Sequence, residues 1–214
     1  VMPAVRSAAA KVRKTLLQLA GDVFEIAPGD LVVEDGREIL YLTDLQQGLF
    51  KMTLDGELLW HVAKPDWHQG KDLKYRPSNV AVAPGGDVYL ADGYGASVIH
   101  VFSPERKYLK TIGTRGEGDG QFKTCHGIAL DTRFGEPRLL VCDRENRRLV
   151  HPDLDGKWIG VVTKDLRRPC AVSIMGDNVA VAELEGRVVI VDKAGKVAAT
   201  LGDNPDQKQW AAFK

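Results

Sequence analysis

Apolar and polar positions alternate in short runs along most of this chain, and turns cut the runs before any helical period can build. The clearest unit spans residues 75–113. Residues 78–83 alternate, and Pro84-Gly85-Gly86-Asp87 reads as a turn. Val88–Ala91 is a second apolar run, and residues 92–97 form a loop. Residues 98–102 make a third run, 103–107 a turn, and Tyr108–Ile112 a fourth run. Runs of β-branched and aromatic residues between Gly, Pro and Asp turns predict a four-stranded antiparallel meander.

The unit recurs. Its opening PSNVAV matches PGDLVV from Pro28, CHGIAL from Cys125 and PCAVSI from Pro169. Its second strand and terminal acid, VYLAD, match runs ending at Asp44, Asp143 and Glu183. The starts at 28, 77, 125 and 169 lie roughly 49, 48 and 44 residues apart, within the range of propeller-blade repeats. Sheets of four short strands cannot bury a core alone, so they must stack face to face about an axis. The predicted fold is all-β: a β-propeller with four visible blades over residues 21–203. Residues 60–75 and 116–122 read as insertions in loops. Residues 204–214 read as a link to a further blade, making the chain part of a six-bladed ring; a four-bladed ring is the alternative.

Residues 1–20 differ from the rest. Ala8, Ala9, Val12, Leu16 and Leu17 fall near helical spacing, with Arg6, Lys11, Arg13 and Lys14 elsewhere, predicting a short basic amphipathic helix. A helix on the propeller rim fits better than a membrane-surface helix, because its apolar face is mostly Ala and Val. No secretory signal pattern is present in the chain. Lys and Arg total 29, as do Asp and Glu, so the formal net charge is +0. That balance gives no basis for a nucleic-acid partner, and no apolar run is long enough to cross a bilayer.

In a propeller the first strand of each blade lines the channel, so equivalent first-strand positions form rings. Alignment puts Gly29, Ser78, His126 and Cys170 at one level. His126 and Cys170 are suitable ligands for zinc or a similar metal, although two ligands at this spacing make no short zinc motif. Each also has a purely structural reading, as a channel-lining histidine and a small buried residue. Asp44, Asp92, Asp143 and Glu183 form a second ring. Their regularity argues for a structural role, as acceptors for backbone N–H groups of the loop that follows. Tyr94 stands between Gly93 and Gly95, where its phenol has room to face a ligand. The loop Asp143-Arg144-Glu145-Asn146-Arg147-Arg148 is expected to be interlocked by ion pairs, with a bidentate Arg feasible. Cys142 reads as core, and three cysteines do not demand a disulfide.

The stretch at residues 77–113, then GEGDGQFKTCHGIAL and VCDRENRRL, resembles the NHL-repeat propellers. More narrowly, DGYG, GQF-x3-HG and DREN-x-R are similar to the peptidyl-α-hydroxyglycine α-amidating lyases and related bacterial secreted NHL-repeat proteins. The resemblance implies zinc held by three channel histidines. His126 stands on the second of these, Gly29 on the first, and the third falls beyond the last visible blade. It implies a catalytic tyrosine at Tyr94, and a structural calcium whose aspartate lies beside the missing third histidine. The family's Asn-Ser-Arg after the tyrosine loop reads Ala96-Ser97-Val98 here. The implied reaction is cleavage of a C–N bond in a C-terminal α-hydroxyglycine, with the tyrosine as base beside the zinc. The departures favour an NHL propeller acting as a scaffold, with a degenerate metal site and a peptide, glycan or protein ligand at the channel mouth. A fragment of a metal-dependent lyase is the alternative. The resemblance also implies an extracellular or periplasmic location.

Overall fold

A computed structural model describes residues 31–34, 37–53 and 56–203. Four antiparallel four-stranded sheets account for almost all of the described chain. Blade I comprises β1 (Leu31–Glu34), β2 (Arg37–Asp44), β3 (Gly48–Thr53) and β4 (Leu58–Val62). Blade II comprises β5 (Asn79–Val82), β6 (Val88–Ala91), β7 (Ile99–Phe102) and β8 (Tyr108–Ile112). A two-strand parallel pair follows, β9 (Thr114–Arg115) with β10 (Gln121–Phe122). Blade III comprises β11 (Cys125–Asp131), β12 (Arg138–Asp143), β13 (Arg148–Pro152) and β14 (Trp158–Thr163). Blade IV comprises β15 (Pro169–Met175), β16 (Asn178–Glu183), β17 (Arg187–Val191) and β18 (Val197–Leu201). Within each blade the strands pair in chain order, and the first strands β5, β11 and β15 lie side by side.

The four repeats read from the sequence are thus the four blades. The helix expected at 1–20, Gly29, the link at 204–214 and any further blades lie outside the described residues. The insertion at 116–122 is not wholly loop. Its parallel pair exists because Phe122 is fully buried under Gly113, where any side chain would collide with the ring. The insertion at 60–75 contains one 3-10 turn, Asp66–His68.

Blade stacking explains why strands of blades II and III are apolar on both faces. On β6, Val88 and Leu90 face the core shared with blade I, while Tyr89 and Ala91 face the core shared with blade III. On β12, Leu139 and Val141 point toward blade II, and Leu140 and Cys142 toward Val179, Val181 and Val189 of blade IV. Cys142 is core, as its place in the repeat implies, and all three cysteines are free thiols. Polar ties supplement these cores. Trp60 Nε1 donates to the Pro104 carbonyl at 3.2 Å, and the Tyr89 hydroxyl donates to the Leu154 carbonyl at 3.1 Å.

The turn after β11 carries a buried polar cluster. Asp131 accepts from Arg133 Nε at 2.9 Å and Nη2 at 2.7 Å, and pairs with His151 Nε2 at 3.0 Å. Arg133 Nη1 also reaches the Asp177 carbonyl of blade IV at 2.9 Å. Burial disfavours the Asp131 charge, but His151 and Arg133 outweigh it and hold its pKa well below the usual carboxylate range.

Two outcomes follow. Leu140→Ala should destabilise the chain by about 3 kcal/mol, because the blade III–IV core cannot collapse into the void; urea unfolding measures this. Because the folded-state pKa of Asp131 is depressed, its contribution is complete above about pH 5 and is lost as pH falls through the folded value. The stability margin of wild type over Asp131→Asn should therefore shrink on acidification below about pH 5, and a margin independent of pH would contradict the assignment.

Candidate functional site

The acids that end each second strand organise one end of the blades. Asp92 Oδ1 accepts the Arg76 N–H at 2.6 Å, and its Oδ2 accepts the Ala96 N–H at 2.8 Å. Asp143 Oδ1 accepts the Lys123 N–H at 2.7 Å, and Glu183 accepts the Arg167 N–H. Asp44 accepts the N–H groups of Gln46 and Gln47 at 2.8 and 2.7 Å. The structural reading of this ring holds, and the acceptance of loop N–H groups expected of it is seen at Asp44 and Asp92. In blades II to IV each acid grips the segment that enters its own first strand; among the described residues Asp44 and Asp92 accept backbone N–H groups of the following loop, and Asp143 accepts the side-chain amide of Asn146 there.

Burial then decides which acids meet a cation. Asp143 is fully buried and Glu183 nearly so. Each faces an arginine directly across its hairpin: Arg148 Nε lies 2.7 Å from Asp143, and Arg187 binds Glu183. Asp44 is half-buried, and Gly48 stands across from it. Asp92 is fully buried, yet Val98 occupies the arginine's place, its carbonyl accepting the Asp92 N–H. Two histidines stand beside the Asp92 carboxylate instead. His68 Nε2 lies 3.4 Å from Asp92 Oδ2, His100 Nε2 lies 3.9 Å from it, and the two imidazole nitrogens are 3.2 Å apart. All three residues are buried. Burial lowers the His68 pKa despite the attraction of Asp92.

Sequence reasoning missed His68 and His100. The readable signal was Val98, where the resembled motif has Arg, together with the insertion PDWHQG.

The entry ends of β5, β11 and β15 gather the expected site residues. Gly93 and Gly95 are obligatory: a Cβ on Gly93 would collide with the Cys125 carbonyl, and one on Gly95 with Asp92. The loop is thereby pressed against blade III and presents Tyr94, which remains 39% exposed. The Tyr94 hydroxyl lies 2.9 Å from His126 Nε2, and Arg144 Nη1 donates to it at 2.8 Å. The Arg144 guanidinium also lies 4.8 Å from the Tyr94 ring centroid. His126 Nδ1 is 2.9 Å from the Cys170 carbonyl, which can only accept. Nδ1 therefore carries a proton, and in the neutral ring Nε2 accepts from the Tyr94 hydroxyl.

Ser78 supports this group from below. Its hydroxyl is 2.8 Å from the His126 carbonyl and 3.2 Å from that of Cys125, tying blade II to blade III. The Cys170 thiol is 3.5 Å from the Arg168 carbonyl, and the main-chain carbonyl of Cys170 contacts His126. The charged loop is interlocked as expected. Glu145 accepts from Arg144 Nε at 2.9 Å and Arg168 Nη2 at 2.6 Å, and Arg147 forms a bidentate pair with Glu185.

Among the described residues His126 belongs to no group of three converging ligand atoms of the kind the implied zinc needs; the convergent group among them is His68–Asp92–His100. Both ring nitrogens of His126 also face partners already named.

With this geometry established, the chain can be set beside known proteins. No family model matches it. It is 33% identical over 146 residues to the mouse peptidyl-glycine alpha-amidating monooxygenase, covering 63% of this chain and 14% of that protein. It is 30% identical over 144 residues to the Xenopus laevis peptidyl-glycine alpha-amidating monooxygenase B, covering 64% of this chain and 16% of that protein. The chain thus spans about a seventh of the length of these relatives. A streptogramin B lyase superposes with a TM-score of 0.59 at 12% identity, covering 82% of this chain and 54% of that one. The glutaminyl cyclase of Myxococcus xanthus gives 0.50 at 17% identity, covering 86% and 74%. At these identities the structures share the fold, and the resemblance carried by DGYG, GQF-x3-HG and DREN-x-R agrees with the amidating relatives.

The acid ring makes its own prediction. Arg148→Met leaves the Asp143 carboxylate buried without its counter-ion, which should cost about 3–5 kcal/mol at neutral pH. Burial already raises the Asp143 pKa, and losing the arginine raises it further. The deficit should therefore diminish as pH falls and the carboxyl protonates, which chemical denaturation across pH would reveal.

Proposed function

We propose that this chain is a propeller scaffold that binds a peptide-type ligand at the mouth formed by Tyr94, His126 and Arg144. One observation carries the reading. A half-exposed phenol is held between a guanidinium and an imidazole where three blades meet, with Ser78, Asp92 and Asp143 fixing the backbone beneath. A ring of this kind offers a stacking face, a donor and an acceptor to an incoming polar chain end. Glycan or protein ligands would use the same groups. The reading carries an extracellular or periplasmic location, which rests on the likeness to the amidating relatives. Among the described residues no helix is long and apolar enough to cross a membrane.

The second reading is a C–N lyase, favoured by the Tyr94–His126 contact. His126 would take the Tyr94 proton, and Arg144 would stabilise the phenolate. The phenolate would remove the hydroxyl proton of a C-terminal α-hydroxyglycine. The C–O bond becomes a carbonyl, the C–N bond breaks, and nitrogen takes its electron pair and a proton, giving a peptide amide and glyoxylate. Among the described residues no group of three ligand atoms includes His126, and no step here depends on zinc.

Calorimetric titration with a peptide ending in α-hydroxyglycine, with glyoxylate measured in the same samples, separates the readings. The scaffold reading expects binding without glyoxylate, weakened about tenfold or more in Arg144→Met, as for loss of one buried polar contact. The lyase reading expects glyoxylate release that vanishes in Tyr94→Phe. Binding unaffected by either substitution, or no binding to peptides ending in α-hydroxyglycine, carboxylate or amide, would overturn the assignment of this mouth.

A further inference from the structure

We infer that His68, Asp92 and His100 form a divalent metal site of the zinc type, separate from the mouth, that fastens the connection between blades I and II. The three ligand atoms converge in the interior, with separations of 3.2, 3.4 and 3.9 Å. A tetrahedral ion with ligands at about 2.0–2.1 Å needs edges of about 3.3–3.4 Å. Two edges already match, and the third closes with a shift of about half an ångström at His100. Two imidazoles and a carboxylate are the donor chemistry zinc and its neighbours prefer.

The surroundings suit ligands rather than a simple polar contact. His100 Nδ1 is 2.9 Å from the Thr111 hydroxyl, which is itself 2.8 Å from the Tyr108 hydroxyl. That is the outer-shell support that fixes a ligating imidazole. Asp92 is aimed by two backbone N–H groups. His68 Nδ1 makes no hydrogen bond of good geometry, although the Leu73 backbone acts weakly on it as an acceptor. In the tautomers that carry the proton on Nδ1, two Nε2 lone pairs and a carboxylate oxygen meet with no donor among the three. A single proton serves the imidazole pair and leaves the buried carboxylate charge with only the Arg76 and Ala96 N–H groups, whereas a dication satisfies all three. The Tyr75 hydroxyl is buried without a partner, its ring 5.3 Å from His68 and 6.2 Å from His100. A water in the fourth position would complete the tetrahedron. Trp67 closes the outside, with its ring 5.0 Å from His68 and 5.3 Å from His100.

The role is structural. His100 lies on β7, Asp92 ends β6, and His68 comes from the 3-10 turn of the connection, so a bound ion joins that connection to the sheet. Bridging of this kind stabilises the folded state by mass action.

The whole chain, stripped with a chelator and dialysed, is titrated with cobalt(II) and, separately, with zinc. One equivalent of cobalt should give the visible band of a tetrahedral site, and saturating zinc should raise the thermal midpoint by about 5–10 °C. His100→Ala should lose both effects. His68→Gln should lose them too, and because His68 lies outside the sheets this variant decides the matter if His100→Ala fails to fold. His126→Ala should keep both. A hydrogen-bonded core cluster only, seen as no metal uptake by the wild type, would overturn the inference. So would a cobalt band that survives His68→Gln but disappears in His126→Ala.

Discussion

A carboxylate withdrawn from water must be compensated, and this chain repeats that problem at the end of every second strand. Uncompensated, a buried ion costs several kcal/mol, more than a small four-stranded sheet can spare. Blades III and IV solve it with Arg148 and Arg187 across the hairpin. Blade I avoids it by leaving Asp44 half in solvent. Blade II keeps its acid fully buried without an arginine, and draws His68 and His100 to it.

The same acids place the chemistry. By holding the Arg76 N–H and the Ala96 N–H together, Asp92 fixes the loop that presents Tyr94 against the segment entering β5. By holding the Lys123 N–H, Asp143 fixes the entry to β11, where His126 follows. Its neighbour Arg144 then reaches back across the blade boundary to the Tyr94 hydroxyl. The mouth is therefore built from main chain pinned by buried charge, with the reactive side chains standing on that frame.

Much of this could be read from the residues. Strand positions 88–91 and 108–112 were legible because their apolar runs are bounded by Gly, Pro and Asp. Ser78, His126 and Cys170 were legible as one level because the repeat aligns the starts of the first strands, and Tyr94 and Arg144 because they stand in corresponding loops after the second-strand acids. Two things were not. An acid's partner across a strand entry is 16 to 20 residues away, a separation with no periodic signature. The pairing of His68 with His100 joins a non-repeating insertion to a strand, so no alignment of the repeats could bring them together. The parallel pair β9–β10 escaped for a similar reason, since two-residue strands leave no alternation to detect.

Val98 ties the carboxylate of residue 92 to the insertion that precedes blade II. With no arginine across the hairpin, the side chains that stand against this carboxylate are His68 and His100, and His68 comes from that insertion. Deleting the insertion would therefore strand a buried charge. Blades III and IV, whose acids meet their own arginines, carry no such dependence on the connection before them.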